Sequence, residues 1–392
     1  MKKITSLFLS FALFFSLNTI CFAGYEGKNV AEYDSAVNAE FDFDASAVYL
    51  CEASTGKVLY AENEYFAQSP ASVTKIMTLL LVCEALDAGR FSLDDKVSIS
   101  SRAASMGGSQ VFLEEGERIT VEELIKCTVI ASGNDSAVAL AELTSGSESS
   151  FVKLMNKRAI ELGLKNTSFE NATGLDDTTV NHYSCAADIA TMSRELIKHE
   201  IILKYSSLWQ DSIRDGEFTL TNTNRLVRFY EGCNGLKTGS TDKAGFCVST
   251  TAKRGNLQLI AVVMGAETRE KRNEAARELL DFGFANYALL ELGGEFLENC
   301  DVLFGKTDAV PLASTKFCTV IEKDKLERVE KIYEIPETLT APIKKGDVVG
   351  RIIYKSDGLQ VGFSEVIADD DVEKISIFDL FVRILERIIF SY

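Results

Sequence analysis

Apolar and polar residues alternate through SAVYLCEASTGKVLYAEN, which starts at Ser46, and the turn residues Ser54-Thr55-Gly56 divide the run. A period of two broken by such a turn predicts a β-hairpin. The next segment, SPASVTKIMTLLLVCEAL from Ser69 to Leu86, is a long, largely apolar run that predicts a buried helix. Helical patterning continues in TVEELIKCTVIA from Thr120, DSAVALAELT from Asp135, a run from Phe151 to Leu162, and CAADIATMSRELIKH from Cys185. The period then changes. GLKTGSTDKAGFCVSTTAKRGNLQLIAVVMG predicts strands joined at Lys253-Arg254-Gly255-Asn256, and NEAARELLDFGFANY from Asn273 returns to helix. Strands at both ends of a helical middle imply an α+β fold, an antiparallel sheet carrying a helical cluster.

From about Leu292 the stretches VLFG, FCTVIE, VVGRIIY and LQVGFSEVIA, separated by charged turns, predict a small all-β domain. Past Asp369-Asp370-Asp371, the segment ISIFDLFVRILERIIFSY places Ile377, Leu380, Phe381, Ile384, Leu385 and Ile388 on one helical face. Asp379, Arg383, Glu386 and Arg387 interrupt it too often for a membrane span, so an amphipathic helix lying flat on a surface is expected. The domain organisation read this way is 1–23, 24–290, 291–370 and 371–392.

Composition refines the picture in three ways. A chain of 392 residues with 46% apolar and 25% charged content is ordinary globular material, with room for a large core and a second domain. Residues 1–23 join Lys2 and Lys3 to the apolar run LFLSFALFFSL and end in small side chains, the pattern of a cleaved secretory signal peptide. Export is therefore expected. The net charge of −17 and the lack of a basic run argue against nucleic acid as a partner. Eight of the nine cysteines lie beyond residue 23 with no CxxC pair, and several sit in apolar runs, so buried free thiols are expected and zinc is not.

The first chemical signal lies in the apolar helix. Ser72 and Lys75 are three residues apart, close enough for hydroxyl and amine to share a face. Burial of that amine favours its neutral form, and a neutral amine beside a serine can activate an oxygen nucleophile. Alone, Ser-x-x-Lys is a weak signal. Ser132-Gly133-Asn134 falls between two helical runs, where glycine permits a sharp turn, and Lys237-Thr238-Gly239 falls on a predicted edge strand, where glycine leaves room for close backbone approach.

The order and spacing of these three motifs resemble the penicillin-binding protein and serine β-lactamase superfamily. The surrounding wording, SPASVTKIMT, VIASGNDSAVALAE, NTSFENATGLDD with NHYS, and NGLKTGSTDKAGFCVSTTAKR, is similar to the low-molecular-weight D-alanyl-D-alanine carboxypeptidases of peptidase family S11. The resemblance implies a serine β-lactamase/transpeptidase-like domain that releases the terminal D-alanine of peptidoglycan stem peptides ending in D-Ala-D-Ala and is inhibited by β-lactams. It implies Ser72 as nucleophile, Lys75 as general base and Ser132 as proton relay. It also implies Asn134, Lys237, Thr238, Gly239, Ser240 and Arg272 in substrate binding, with the amides of Ser72 and Ser240 as oxyanion hole. No metal or cofactor is implied. The expected location is the outer face of the bacterial cytoplasmic membrane, held peripherally by the C-terminal helix, or the secreted fraction.

Other functions fit less well. A β-lactamase needs a carboxylate that positions the hydrolytic water; the candidate loop offers Glu170, Asp176 and Asp177 but lacks a Glu-x-x-x-Asn arrangement. A non-catalytic wall-binding protein would be expected to lose Ser72 or Lys75. A DD-endopeptidase would use the same chemistry. Of the two histidines, His182 is expected to be structural, and His199 lacks a second histidine at zinc-protease spacing.

Overall fold

The computed structural model describes residues 40–389, so the signal-peptide reading of residues 1–23 lies outside the described residues. The first sheet has five strands, ordered Val58–Glu62, Ala47–Glu52, Leu257–Ala266, Gly245–Arg254 and Cys233–Thr241. Every neighbouring pair is antiparallel. The predicted hairpin and the turn at Gly255-Asn256 both form. Leu257–Ala266 reads as one apolar run because both of its faces are covered. Ile260, Val262 and Met264 join the core beneath the helical cluster, while Leu259, Ala261 and Val263 join a second core with Ala276, Leu279 and Leu280 of the Arg269–Asn286 helix.

Helix boundaries follow local chemistry. The Val121–Val129 helix is capped by Thr120, whose hydroxyl accepts from the Glu123 amide while the Glu123 carboxylate accepts from the Thr120 amide. The Arg269–Asn286 helix starts a turn before the predicted Asn273, because Thr268 caps it. Its first turn is polar and carries no hydrophobic period to announce it. The segment beginning at Ser69 also departs from expectation: a 3-10 turn covers Ala71–Thr74, and the α-helix runs from Lys75 to Asp87.

A six-stranded sheet follows, ordered Val329–Glu334, Val348–Ser356, Leu359–Ala368, Ala309–Ser314, Phe296–Leu303 and Thr338–Thr340. It has its own core around Val310, Ile352, Tyr354 and Val366. A further two-stranded ladder pairs Tyr287–Leu292 with Phe317–Glu322. The terminal helix spans Ile377–Ile389 with Ile377, Phe381 and Ile388 at least 58% exposed. Arg383 ties it to Asp308 and to the Lys306 carbonyl. Among the described residues no helix is long and apolar enough to cross a membrane.

Gly174, at φ +83°, is where the loop ahead of the Ala186–Leu196 helix meets the Ala71–Thr74 turn: a Cβ there would lie 1.8 Å from the Ala71 carbonyl oxygen. Gly174→Ala is expected to cost about 2 kcal/mol or more, combining left-handed strain with a backbone clash, and urea unfolding of the two proteins checks it.

Candidate active site

Ser72 stands in the Ala71–Thr74 turn, and Ala71 before it has φ +47° with no exposed surface. Residues three apart eclipse in a 3-10 turn. Lys75 Nζ accordingly lies 2.9 Å from Ser72 Oγ. The same nitrogen is 2.6 Å from Asn134 Oδ1 and 2.8 Å from the Thr173 carbonyl oxygen. Asn134 Nδ2 donates to the Gly107 carbonyl at 2.7 Å, which fixes the amide orientation and aims Oδ1 at the lysine. Burial pushes the Lys75 pKa well below its ordinary value, and the nearby Lys237 charge pushes it the same way.

The proton count at this nitrogen is informative. A neutral amine has two N–H groups and one lone pair. Asn134 Oδ1 and the Thr173 carbonyl can only accept, so they take both N–H groups. Ser72 is the single partner able to donate. In its neutral form the amine therefore has only its lone pair left for Ser72 Oγ, an arrangement in which it can accept the serine proton.

Lys237 is on the edge strand Cys233–Thr241, 1% exposed, with Nζ donating to the Thr238 carbonyl at 2.9 Å. Burial, and then Arg272, lower its pKa to about 7. The edge strand comes so near the serine turn that a Cβ on Gly239 would lie 2.7 Å from the Ser72 amide nitrogen. The chain that closely approaches this glycine is thus the protein's own Ala71–Thr74 turn. Thr238 Oγ1 donates to Thr223 Oγ1, and Ser240 is exposed at the rim.

A cleft of about 520 Å³ opens here, lined by Ser72, Ser132, Thr238, Gly239, Ser240 and Arg272. Arg272 is 3% exposed and is held by Asn273 Oδ1 and the Cys247 carbonyl; burial lowers its pKa to about 10. Ser132 adopts φ +64°, so the sharp turn expected at Gly133 falls on the serine itself. Among the described residues its hydroxyl has no hydrogen-bond partner. All nine residues singled out from sequence gather around one cleft or directly beneath it. Asn134 differs from expectation in one respect: both ends of its amide are occupied within the protein.

Three supporting roles gave no recognisable sequence signal, although Asp176 itself stood out as a carboxylate. Asp135 accepts from the amides of Val111, Leu113 and Ser136, which pins the Gly107–Leu113 segment against Asn134. Asn171 Oδ1 accepts from the Thr173 and Gly174 amides and so shapes the loop that presents the Thr173 carbonyl. Asp176 Oδ2 accepts from both Ser69 Oγ and Thr241 Oγ1 at 2.6 Å, joining the segment before Ser72 to the end of the edge strand. His182 is neutral and structural: its Nδ1 accepts from the Glu170 amide, Nε2 faces Thr74 Oγ1 at 2.8 Å, and burial lowers its pKa to about 4. The eight described cysteines are all free, and only Cys318 is exposed.

A serine backed by a buried lysine and flanked by Ser132 and a Lys-Thr-Gly edge strand defines a serine enzyme of the penicillin-recognising class. Comparison with known proteins narrows this. Residues 34–268 match the D-alanyl-D-alanine carboxypeptidase family S11, and residues 284–374 match the C-terminal domain of penicillin-binding protein 5. The chain belongs to the D-alanyl-D-alanine carboxypeptidase family. It is 42% identical to the Bacillus subtilis D-alanyl-D-alanine carboxypeptidase DacF over 99% of this chain and 98% of that protein. Its fold is similar to penicillin-binding protein 5 of Haemophilus influenzae, with a TM-score of 0.75 and 32% identity, over 86% of this chain and all of that one. It is also similar to ampicillin-bound penicillin-binding protein D2 of Listeria monocytogenes, with a TM-score of 0.58 and 32% identity, over 63% of this chain and 100% of that one.

Asp176→Ala leaves two buried-side hydroxyls without their acceptor. It is expected to cost about 2 kcal/mol in unfolding and to slow labelling of Ser72 by fluorescent penicillin, with Asp176→Asn intermediate because an amide oxygen still accepts.

Proposed function

We propose that this protein is a serine-type D-Ala-D-Ala carboxypeptidase that removes the terminal D-alanine from peptidoglycan stem peptides through an acyl-enzyme on Ser72. The observation that carries the reading is the Ser72–Lys75 contact, with the amine's other two partners, Asn134 Oδ1 and the Thr173 carbonyl, being acceptors that cannot donate to it. Lys75 takes the Ser72 proton as Oγ attacks the penultimate carbonyl. Asn134 acts by orienting that amine. The Ser72 and Ser240 amides stabilise the oxyanion, each worth about 3 kcal/mol in the transition state. Ser132, whose hydroxyl is uncommitted, relays the proton to the departing D-alanine amine. Lys237, Thr238 and Arg272 receive the leaving residue's carboxylate, for which a buried guanidinium that has no carboxylate partner among the described residues is well suited. Gly239 keeps the strand close. Water then attacks the ester carbonyl, gives up a proton to Lys75, and returns the hydroxyl to Ser72.

β-Lactams acylate the same serine and are released slowly. Two of the three carboxylates near the site are already engaged by the protein's own donors, Asp176 by two hydroxyls and Glu170 by the Val180 amide, while Asp177 is exposed. Neither of the two engaged groups is free to position a water as a β-lactamase requires.

The domain division proposed is a catalytic part over 24–290, a β domain over 291–370 and a tail over 371–392, supported by the separate core of the six-stranded sheet. The tail rests peripherally on the outer face of the cytoplasmic membrane. Its apolar side chains face outward while Arg383 holds the polar side to Asp308. Deleting 371–392 is expected to move the protein from the membrane to the soluble fraction on cell fractionation; unchanged membrane recovery would refute the anchor.

The activity is tested by D-alanine release from a peptide ending in D-Ala-D-Ala, with Ser72→Ala as control; a loss of roughly 10⁴-fold or more is expected. A second outcome concerns pH. The Lys237 pKa is depressed to about 7, so its positive charge is present below that pH and lost above it. Protonation of Lys75 removes the base in acid. The kcat/KM for a carboxylate-ended peptide is therefore expected to fall on both sides, with the alkaline fall near pH 7 and absent for the carboxamide-ended analogue.

A further inference from the structure

The six-stranded sheet leaves backbone without a neighbouring strand at both of its ends. At one end the outer side of Val329–Glu334 has no partner among the described residues. At the other, Thr338–Thr340 pairs only with residues 301–303. Residues 296–299 therefore have Ala309–Ser314 on one side and, among the described residues, no strand on the other. The Cys300 thiol meets the carbonyl oxygens of Pro336 and Glu337 at 3.4 and 3.7 Å, so the chain leading into Thr338 is held at Cys300 and does not run on along that edge.

Both ends face one cavity of about 560 Å³. Residues 296–300 line one wall, and Tyr333, Ile335, Pro336 and Glu337 line the other. Lys331 Nζ, at 2.6 Å from Glu295 Oε1, crosses from one to the other. Leu312 is buried beneath the cavity and Leu297 and Ile335 are partly buried, whereas Phe296 is 79% and Tyr333 52% exposed. Unpaired backbone thus lies beside two aromatic rings left in water. Strand addition uses this combination, with main-chain hydrogen bonds for affinity and side-chain contacts for selectivity.

An open sheet edge is a template for another strand, and soluble proteins cover or charge it. Here the edge is charged, and the charges decide which strand it accepts. Glu295 is paired with Lys331, and Glu334 with Arg351 at 2.5 Å. Glu298 and Glu337 are exposed and form no ion pair among the described residues. A second copy of this chain would bring like carboxylates together, in a protein whose net charge of −17 already opposes self-association. A basic strand would neutralise them.

We propose that this groove of the β domain docks an extended segment of another protein, which adds a strand along residues 296–299 and alternates apolar with basic side chains. Four residues of strand cover about 13 Å. The apolar side chains enter between Phe296 and Tyr333, and the basic ones reach Glu298 and Glu337. No residue of this sheet lines the catalytic cleft, so docking leaves catalysis unobstructed.

The test titrates the full mature protein into fluorescently labelled acetyl-(Lys-Val)3-amide and reads anisotropy. Binding with a Kd on the order of 10–100 μM is expected, and at least tenfold weaker binding of acetyl-(Glu-Val)3-amide. Of the two Lys-Val peptides N-methylated at alternate residues, the one that loses the donors facing the sheet is expected to bind at least tenfold more weakly. Glu298→Lys combined with Glu337→Lys, and separately Phe296→Ser, are each expected to weaken binding fivefold or more. Stoichiometric penicillin labelling of Ser72 reports that each variant has folded. No binding of the Lys-Val peptide at millimolar concentration would overturn the proposal. So would equal binding of both N-methylated peptides, or an equal loss from reversing Glu62 and Glu115 in the first domain, since either result marks attraction by net charge alone. Sedimentation supplies the remaining outcome: a dimer of the parent that Phe296→Ser abolishes would assign the groove to a second copy and overturn the basic partner.

Discussion

A lysine amine with no exposed surface, lying at the base of a cleft, is the constraint on which the rest of this structure depends. An unpaired ammonium ion there would be very costly, so the amine must shed its charge or find partners. It finds two acceptors from separate parts of the chain, Asn134 from the turn between two helices and Thr173 from the loop that packs on the Ala71–Thr74 turn. Each acceptor is fixed by further bonds, Asn134 through Gly107 and Thr173 through Asn171. The reactivity of one serine is thus tied to the placement of three chain segments.

Electrostatics separates the site from the molecule around it. The chain carries a net charge of −17, yet Lys75, Lys237 and Arg272 are all buried within or below the cleft. The carboxylates close by, Asp135 and Asp176, are engaged by amides and hydroxyls. Local positive potential is therefore left for an anionic ligand, in a protein whose outer surface would repel one. Burial first, and then a neighbouring cation, Lys237 for Lys75 and Arg272 for Lys237, moves both lysine pKa values downward.

The β domain stands apart chemically as well as in its core. Its side chains contribute nothing to the cleft lining, and the terminal helix is tied to it by the Arg383 contact with Asp308 and the Lys306 carbonyl. That contact turns the polar side of the helix toward protein. The apolar stripe is left outward, which a helix in a soluble core would not tolerate over Ile377, Phe381 and Ile388.

Much of this was legible in the sequence because it is encoded locally. Period-two alternation marked the hairpin at Ser54-Thr55-Gly56, and motif order marked Ser72 with Lys75, the turn at Ser132 and the edge strand. Helix starts without an apolar signal, as at Arg269, were invisible, since a Thr cap followed by charged residues looks like a loop. The sequence also assigned the sharp turn to Gly133, whereas packing placed the positive φ on Ser132. What only the tertiary structure decided is the company each group keeps. That Asn134 serves Lys75, that Asp176 joins Ser69 to Thr241, and that Gly239 faces the Ser72 amide all depend on contacts between residues 59 to more than 150 positions apart. Periodicity and spacing report which residues share a face; they carry no information on which distant faces the fold will press together.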